Sequence, residues 1–314
     1  MHDGLTDEAA RWAERATTVD VGGEAVAVID VPAGGPRGPG GTPRSGGEAP
    51  PLLVVHGFPT SSVDFAPVVD RLAAARRVVL VDLPGYGLSA KPDRAYSLFG
   101  QADAVEAVAA ALGLDEVDLL THDMGDSVGG ELLARAIDAT SPLRVRRRVL
   151  TNGSVYLGMA QLTDGQKFLR ALPDEMLAPG SGLDADGLTA ALADLCAPDL
   201  RDDPAVVARL RAGAELVVRD GGGRLLPRLI RYLDERAAHE ERWTGAIESH
   251  PAPLTIVWGR HDPIAVAPMV DRLAARRAEH GGAATVTWLD AGHWPMVERP
   301  PAFADAVLAG LDAA

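Results

Sequence analysis

The sequence has little cysteine, few aromatic residues and no long hydrophobic run. Cys196 is the one cysteine among 314 residues, so no disulfide can form within the chain and nothing indicates an oxidising compartment. No uninterrupted apolar stretch approaches the ~18 residues that a membrane-spanning helix needs. The first residues, MHDGLTDEAARWAERATT, are acidic and lack the basic start and apolar core of a secretory signal. We therefore expect a cytoplasmic protein.

Positive charge is scarce relative to negative charge. The 30 Lys and Arg residues stand against 44 Asp and Glu residues, which gives a formal net charge of −14. A field of that sign repels nucleic acid and anionic membrane surfaces. We therefore expect neither as a partner. The expected partners are a small apolar substrate and water, and the sequence leaves open a monomer or a homodimer.

Short apolar runs that alternate with amphipathic stretches make up most of the remaining sequence. The runs LLVV, VVLVDL, VDLLT, VRRRVLTN, LTIVW and TVTWL are typical of strands buried on both faces of a parallel sheet, with crossover helices between them. Ahead of these runs, two β-rich segments joined by Gly22-Gly23 predict an antiparallel hairpin. The pattern predicts an α/β fold with a mostly parallel central sheet and helices on both faces.

Two segments interrupt this alternation. Residues 33–51 are so rich in Gly and Pro that they predict a flexible surface loop. Residues 154–245 carry helical patterns without strands between them, and an insertion after a sheet strand lies over the edge where open α/β sheets bind ligands. We therefore predict a core in two parts, 1–153 and 246–314, with residues 154–245 as a helical lid. A separate helical domain with no role in the site is the alternative.

A strand that runs into a sharp turn and then a helix marks the candidate nucleophile. The strand VDLLT is followed by His122, Asp123, Met124 and Gly125, and then by the helical run SVGGELLARAID. Small residues on both sides of such a turn let one strained side chain project upward, and Asp123 is at its tip. The backbone N–H groups of Met124 and of Phe58, in the turn HGFP, are the candidates for an oxyanion hole.

A serine pattern overlaps this turn. Residues 125–129, GDSVG, match the G-x-S-x-G pattern of serine hydrolases. Placing Ser127 at the tip would draw residues 122–124 into a buried strand, at a cost of several kcal/mol for each unpaired polar group. We therefore favour Asp123 and keep a serine esterase that uses Ser127 as an alternative.

Two further polar residues follow the last two predicted strands. Asp262 comes after LTIVW in the turn GRHDP, and His293 comes after TVTWL in the turn AGHWP. Since the carboxyl ends of parallel strands meet at one edge of the sheet, both side chains can converge on Asp123. The order nucleophile, acid, histidine is that of α/β hydrolases. We predict that His293 is the base and that Asp262 orients it, with Asp290 as the spare acid.

The motifs HGFPTSS, VDLPGYGLSAKP, THDMGDSVGGELL, VLTNGS, RYLDERAAHEERWTGAI, WGRHDP and AGHWP together resemble the aspartate-nucleophile branch of the α/β-hydrolase superfamily. This branch includes epoxide hydrolases and haloalkane dehalogenases. The resemblance extends from about Pro51 to the end of the sequence and implies an α/β-hydrolase fold with a helical lid. It also implies an alkyl-enzyme ester on Asp123 that water, activated by His293, hydrolyses without a metal or an organic cofactor.

The leaving group separates the members of this branch. Haloalkane dehalogenases resemble one another in a halide-binding Trp after the nucleophile, where this chain has Met124, and Phe58 stands where they have Asn. Epoxide hydrolases resemble one another in lid tyrosines that hold the epoxide oxygen, and this chain has candidates for them. The residues predicted to bind substrate are Tyr232, Tyr156, His122 and Trp294. We therefore predict a hydrolase of small apolar epoxides, with a dehalogenase-like enzyme or a non-catalytic protein of this fold as alternatives.

Overall fold

The computed structural model describes residues 4–34, 49–181 and 183–313. Within them, eight strands form one sheet in the order β1-β2-β4-β3-β5-β6-β7-β8. The strands are β1 (Thr17–Val21), β2 (Glu24–Val31), β3 (Ala49–Val55), β4 (Arg76–Val81), β5 (Glu116–His122), β6 (Arg144–Thr151), β7 (Leu254–Gly259) and β8 (Ala284–Leu289).

Helices connect and cover these strands. The helices that precede β6 are α1 (Asp7–Arg15), α2 (Val69–Leu72), α3 (Leu98–Ala111) and α4 (Met124–Ile137). Those between β6 and β7 are α5 (Asp164–Ala171), α6 (Ala185–Ala193), α7 (Pro204–Val218), α8 (Leu226–Leu229) and α9 (Tyr232–Ser249). The later ones are α10 (Pro268–Glu279), α11 (Pro295–Glu298) and α12 (Pro300–Asp312), and short 3₁₀ helices lie at Ser62–Phe65, Leu157–Met159 and Arg219–Arg224.

The strand directions confirm the predicted fold class. Strands β1 and β2 form the antiparallel hairpin expected around Gly22 and Gly23, and both glycines have the positive φ that such a turn requires. Strand β2 is antiparallel to β4, whereas β3 to β8 pair in parallel. The carboxyl ends of six strands therefore meet at one edge of the sheet, and the residues that follow them are close in space.

The predicted Gly/Pro loop over residues 33–51 is described only at its ends. Residues 33–34 form a turn after β2, and residues 35–48 lie outside the described part of the chain. The prediction is wrong for residues 49–51, because these residues begin β3. Two prolines fit there because a register shift separates the pairs of Ala49 and Leu52 with β4, and prolines are tolerated at the start of a strand.

The central strands are mostly buried and apolar, with a few buried charged residues. Leu52, Leu53 and Leu80 are among the largest fully buried side chains. Asp118, near the start of β5, is also fully buried, and its Oδ2 lies 2.8 Å from Nη1 of the buried Arg76. This ion pair lies at the amino end of the sheet, opposite the edge where β5 ends.

The helices between β6 and β7 interrupt the strand alternation, as the sequence pattern indicated. Helix α9 packs along α4, and α7 contacts α1 and the 3₁₀ helix Ser62–Phe65. We refer to residues 157–249, which contain α5 to α9, as the inserted segment. In the described part of the chain, no helix is both long and apolar enough to cross a membrane.

Candidate active site

Asp123 occupies the tight turn between β5 and α4. Strand β5 ends at His122 and α4 begins at Met124, which leaves Asp123 with φ 50° and ψ −118°. A non-glycine residue in this region is strained, and such strain is concentrated at functional sites. The first turn of α4 lies so close to β3 that a Cβ at Gly125 would come within 2.4 Å of the Val55 carbonyl oxygen. A side chain at Gly125 would therefore clash with β3, which explains the small residue beside the turn.

The turn after β3 lies directly against the Asp123 side chain. The Phe58 N–H donates to Asp123 Oδ2 at 2.9 Å. A Cβ at Gly57 would lie 2.5 Å from Asp123 Cβ, so only glycine permits this approach. Among the described residues, the Met124 N–H makes no hydrogen bond to Asp123. The Met124 sulfur accepts a hydrogen bond from the Tyr86 hydroxyl at 3.2 Å. Oδ2 is thus held by a backbone donor.

His293 faces the other oxygen of Asp123. Its Nε2 lies 3.9 Å from Asp123 Oδ1, and its Nδ1 lies 2.8 Å from Asp262 Oδ2. All three side chains are buried. Burial alone would lower the pKa of His293, but the charge and hydrogen bond of Asp262 and the charge of Asp123 outweigh it and raise the pKa to about 9. The imidazole therefore carries a proton in the free enzyme at neutral pH.

Asp262 is held by four hydrogen-bond partners. Its Oδ1 accepts from the backbone N–H groups of Ile264 at 2.7 Å and Ala265 at 3.0 Å. Its Oδ2 is shared by His293 and by the Asn152 amide, which donates at 2.7 Å. The spare acid Asp290 is exposed and pairs instead with His261, 2.6 Å away. The structure therefore brings Asp262, and not Asp290, to His293.

Asn152 is a residue to which the sequence analysis gave no role. It follows β6 directly, with a φ of 47°, and its Oδ1 accepts from the Gly259 N–H at 2.9 Å. The signal was its position after a strand, the same rule that pointed to Asp262 and His293. Its amide joins the ends of β6 and β7 and orients the Asp262 carboxylate.

Ser127 lies away from the turn. The GDSVG run is contained in α4, and Ser127 is buried within the first turns of that helix. A Cβ at the neighbouring Gly129 would come within 2.8 Å of Thr121 Cγ2, so this run of small residues fits the close packing of α4 on β5. The side chain at the strand-to-helix tip is that of Asp123.

Two buried tyrosines lie near Asp123. The Tyr232 ring packs on Phe58 with 5.6 Å between ring centroids, and its hydroxyl makes no hydrogen bond within the described residues. Burial raises the pKa of Tyr232 well above its usual range, and the charge of Asp123 raises it further. Burial, Tyr232 and the charge of Asp123 likewise raise the pKa of Tyr86. The sequence analysis missed Tyr86, although it follows β4 at the same edge of the sheet.

Tyr156 does not accompany Tyr232. Its hydroxyl donates to Glu248 Oε1 at 2.9 Å, and Arg272 lies 4.2 Å above its ring. These partners belong to the end of α9 and to α10. The prediction that Tyr156 binds substrate is therefore not supported, because its one polar atom is used in joining helices.

His122 and Trp294 lie under the imidazole of His293. The ring centroids of His122 and Trp294 are 5.0 and 4.7 Å from that of His293. His122 Nε2 hydrogen-bonds with the His293 carbonyl oxygen at 2.9 Å, and burial lowers the pKa of His122, which keeps the ring neutral. The Trp294 indole N–H donates to the Leu192 carbonyl at 3.2 Å. Both residues support the histidine, and neither lines the cavity described next.

A cavity of about 340 Å³ lies between the core and the inserted segment. Phe58 and His293 line it on the core side. The other lining residues are Pro59, Thr163, Asp164, Gly165, Gln166, Leu169, Leu183, Leu188, Ala191, Leu192, Asp194, Leu195, Leu226 and Ile264. The lining described is mostly apolar, includes two carboxylates and contains no Lys or Arg. Its size suits a small organic molecule.

The inserted segment is hydrogen-bonded to the loop that carries His293. The His293 N–H donates to the Leu195 carbonyl at 2.9 Å. The buried Glu298 carboxylate accepts from the N–H groups of Ala197 at 2.8 Å, Gly292 at 2.8 Å and Trp294 at 3.0 Å. We call residues 192–197 the strap. Nowhere in the described ranges do three His, Cys, Asp or Glu side chains cluster as a metal site would require.

Comparisons with known proteins agree with this fold. The family model described as "alpha/beta hydrolase fold" matches residues 50–300. The chain is 40% identical over 272 residues to the "Putative hydrolase LipZ" of Mycobacterium tuberculosis, covering 85% of this chain and 91% of that one. It is 30% identical over 267 residues to the human mesoderm-specific transcript homolog protein, covering 82% and 77%. A solved α/β-hydrolase fold protein from Burkholderia ambifaria superposes with a TM-score of 0.71 at 24% identity, covering 98% and 99%.

Proposed function

Because this chain belongs to the α/β-hydrolase family, we propose that it is a hydrolase in which Asp123 is the nucleophile and small apolar epoxides are the substrates. The observation that carries this proposal is the identity of the side chain at the strand-to-helix tip, which is a carboxylate. A carboxylate suits attack on a saturated carbon and gives an alkyl-enzyme ester. Ser127, the alternative nucleophile, lies inside α4.

The distance between His293 and Asp123 supports this choice. A base that activates a serine takes the proton of the nucleophile itself and needs a direct hydrogen bond of about 2.6–3.2 Å. Asp123 has no such proton to give, and its Oδ1 lies 3.9 Å from His293 Nε2. The base would instead act on the water that attacks the ester.

In the first step, Asp123 Oδ1 attacks an epoxide carbon and the carbon–oxygen bond of the ring breaks. The electron pair passes to the ring oxygen, which takes a proton from the hydroxyl of Tyr232. Asp123 Oδ2 is held by the Phe58 N–H, which leaves Oδ1 to react. The product of this step is an ester between Asp123 and the opened substrate.

Once the ester has formed, the Asp123 charge that helped to raise the pKa of His293 is gone, and His293 loses its proton to solvent. In the second step, water attacks Cγ of Asp123 while the neutral His293 Nε2 takes one of its protons. The Phe58 N–H then faces the negative charge that develops on Oδ2, a contribution of about 3 kcal/mol for such a donor. The bond between Cγ and Oδ1 breaks, and the departing oxygen takes the proton from His293. The Asp123 carboxyl returns its remaining proton to Tyr232, and His293 regains a proton from solvent, so the diol is released and the site is restored.

We further propose that the inserted segment acts as the lid of this site. Its helices supply Tyr232 and most of the lining of the cavity that His293 borders. A lid that excludes water protects an ester intermediate until the base acts.

Single-turnover reaction in H₂¹⁸O tests the nucleophile. Because water attacks Cγ, the first diol molecule is expected to be unlabelled and Asp123 to gain ¹⁸O. His293→Gln is expected to accumulate the ester, detected as a mass increase on the peptide that contains Asp123. A labelled diol, or an unmodified Asp123 peptide in both proteins, would falsify the proposed mechanism.

Two control variants separate the alternatives. Asp123→Asn is expected to form no diol, provided that the peptide mass shows no deamidation of the asparagine. Ser127→Ala is expected to retain turnover. Ester hydrolysis lost in Ser127→Ala and retained in Asp123→Asn would instead support the serine esterase. Turnover of a bromoalkane without turnover of the epoxide would instead support a dehalogenase.

A further inference from the structure

Arg236 is a buried cation close to the proposed nucleophile that the mechanism above does not use. It lies on α9, four residues after Tyr232, so both side chains lie on the same face of the helix. Its side chain is fully enclosed, and one guanidinium nitrogen donates to the Ser154 carbonyl oxygen. A second, Nη1, is buried and has no hydrogen-bond partner among the described residues. An unsatisfied buried donor is unfavourable, so this arrangement destabilises the resting protein.

The groups around Arg236 limit its roles. Burial lowers the pKa of Arg236, and the nearby Tyr232, Asp123, Asp126 and Glu240 oppose that effect. Burial raises the pKa of Asp126 well above its usual range, which favours its neutral form. Glu240 accepts the Leu157 N–H at 2.8 Å. Asp123 and Tyr232 are therefore the neighbours whose charge changes during the proposed reaction.

A role in binding an anionic substrate does not fit the cavity. The cavity lining includes Asp164 and Asp194 and, among the described residues, no Lys or Arg. The formal charge of the whole chain is −14, which repels anions at long range. We therefore expect an uncharged substrate, and the negative charges that Arg236 meets are those of the protein's own groups.

We propose that Arg236 is a positioning residue that acts through Tyr232 and stabilises the negative charge left on the phenol oxygen when its proton passes to the substrate. This inference rests on the proposed epoxide chemistry. As the ester forms, the negative charge of Asp123 is lost and an equal charge appears on Tyr232. Arg236 is close enough to both groups to interact with the charge of each.

A double-mutant cycle on α9 tests this inference. The rate constant for ester formation is measured in single turnovers with styrene oxide for Tyr232→Phe, Arg236→Gln and the double variant. Each single variant is expected to slow the step by about 100-fold with a change in KM of less than about threefold, as for loss of one charge-stabilising donor. Since Arg236 acts through Tyr232, the double variant is expected to be no slower than Tyr232→Phe. Losses that multiply in the double variant overturn the proposal.

A leaving group that needs no proton provides the second arm. With an alkyl bromide, Arg236→Gln is expected to form the Asp123 ester within about threefold of the unmodified protein, because bromide leaves as an anion and Tyr232 keeps its proton. Equal slowing of both substrates would show a purely structural role and overturn the inference. Arg242→Gln, on the same helix but with a side chain 35% exposed, serves as the matched control and is expected to leave both rates unchanged.

Arg236→Lys keeps the positive charge and guards against a folding defect in the glutamine variant. With styrene oxide, this variant is expected to form the ester at least about tenfold faster than Arg236→Gln, since a cation near Tyr232 remains. A lysine variant that folds, as judged by its thermal transition, and is as slow as Arg236→Gln counts against the proposal. Absence of any ester in the unmodified protein, with both substrates, is the separate result that removes the proposed function itself.

Discussion

At the scale of single residues, the site depends on the close approach of two turns. The strained backbone of Asp123 raises its carboxylate, and the HGFP turn lies against it so that the Phe58 N–H reaches Oδ2 at 2.9 Å. Gly57 makes this contact possible by having no side chain. The carboxylate is therefore oriented by backbone atoms on one side and by His293 on the other.

Gly57→Ala tests the importance of this approach. The added Cβ would lie 2.5 Å from Asp123 Cβ, so one of the two turns must shift. A displacement of about 1 Å in a reacting group can cost about 100-fold in rate, and we expect a loss of that order in kcat for ester formation. The same substitution at Gly245, where a Cβ meets nothing within 4 Å, is the control. Unchanged kcat in Gly57→Ala would contradict the proposed role of the turn.

The protonation of His293 predicts a pH dependence for the second step. In the free enzyme Asp262 and the negative Asp123 raise the pKa of His293 to about 9, against the effect of burial. Esterification removes the Asp123 charge, so the pKa of His293 in the ester must fall below that value. Hydrolysis needs the neutral imidazole, and its rate is therefore expected to rise with pH to a plateau, with a midpoint below pH 9. Rapid-quench measurement of ester decay checks this, and a midpoint above 9 would contradict it.

At the scale of elements, the strap joins the inserted segment to the histidine loop. Glu298 accepts three backbone N–H groups, one from the strap and two from the loop. A Cβ at Gly292 would come within 2.3 Å of the Leu195 carbonyl oxygen, so loop and strap touch with no space between them. The position of the base is therefore fixed from two different parts of the chain.

Glu298→Ala is expected to destabilise the protein and lower its activity. Three buried N–H groups would lose their acceptor, at about 1–3 kcal/mol for each group that water cannot reach, and we expect a loss of about 3 kcal/mol or more in unfolding free energy. Urea denaturation gives this number, and kcat is measured on the same preparation. Glu298→Gln keeps one acceptor oxygen, so its unfolding free energy is expected to lie between those of Glu298→Ala and the unmodified protein. An alanine variant as stable as the parent would rule out this account of the strap.

The elements were easier to predict from sequence than the side chains around the nucleophile. Strands β3, β4, β5 and β7 follow from short, mostly apolar runs, because burial on both faces of a parallel sheet leaves little choice of residue. The rule that polar residues after such strands converge led to Asp123, Asp262 and His293. It did not reveal that Tyr156 turns to Glu248, since a side chain on a loop takes its direction from whatever packs beside it. Tyr86 was missed for the same reason, and Arg236 was missed because an arginine on a helix is usually solvent-exposed.

At the scale of the whole molecule, a buried charge cluster lies at the end of the sheet opposite the candidate site. Asp118 on β5 is fully enclosed and lies 2.8 Å from both Arg76 and Arg146. Arg76 is itself 98% enclosed and also contacts Asp312 at the end of α12. The cluster thus joins three strands to the last helix of the described chain, far from the reacting groups.

Asp118→Ala is expected to lower the unfolding free energy by about 3–5 kcal/mol, because it leaves the buried Arg76 without its enclosed partner. Asp312→Ala is the matched control. The Asp312 side chain is 67% exposed, and an exposed partner of this kind contributes about 0–1 kcal/mol. Urea denaturation of both variants gives the comparison, and equal losses would show that burial does not decide the strength of these pairs.

The hydrogen bond from the His293 main chain to Leu195 has a consequence for the order of events in a catalytic cycle. An outward movement of the strap would displace the proposed base, so we expect ester hydrolysis only while the strap is in place. We therefore expect substrate to enter beside Leu183, an exposed residue of the cavity lining that lies outside the strap.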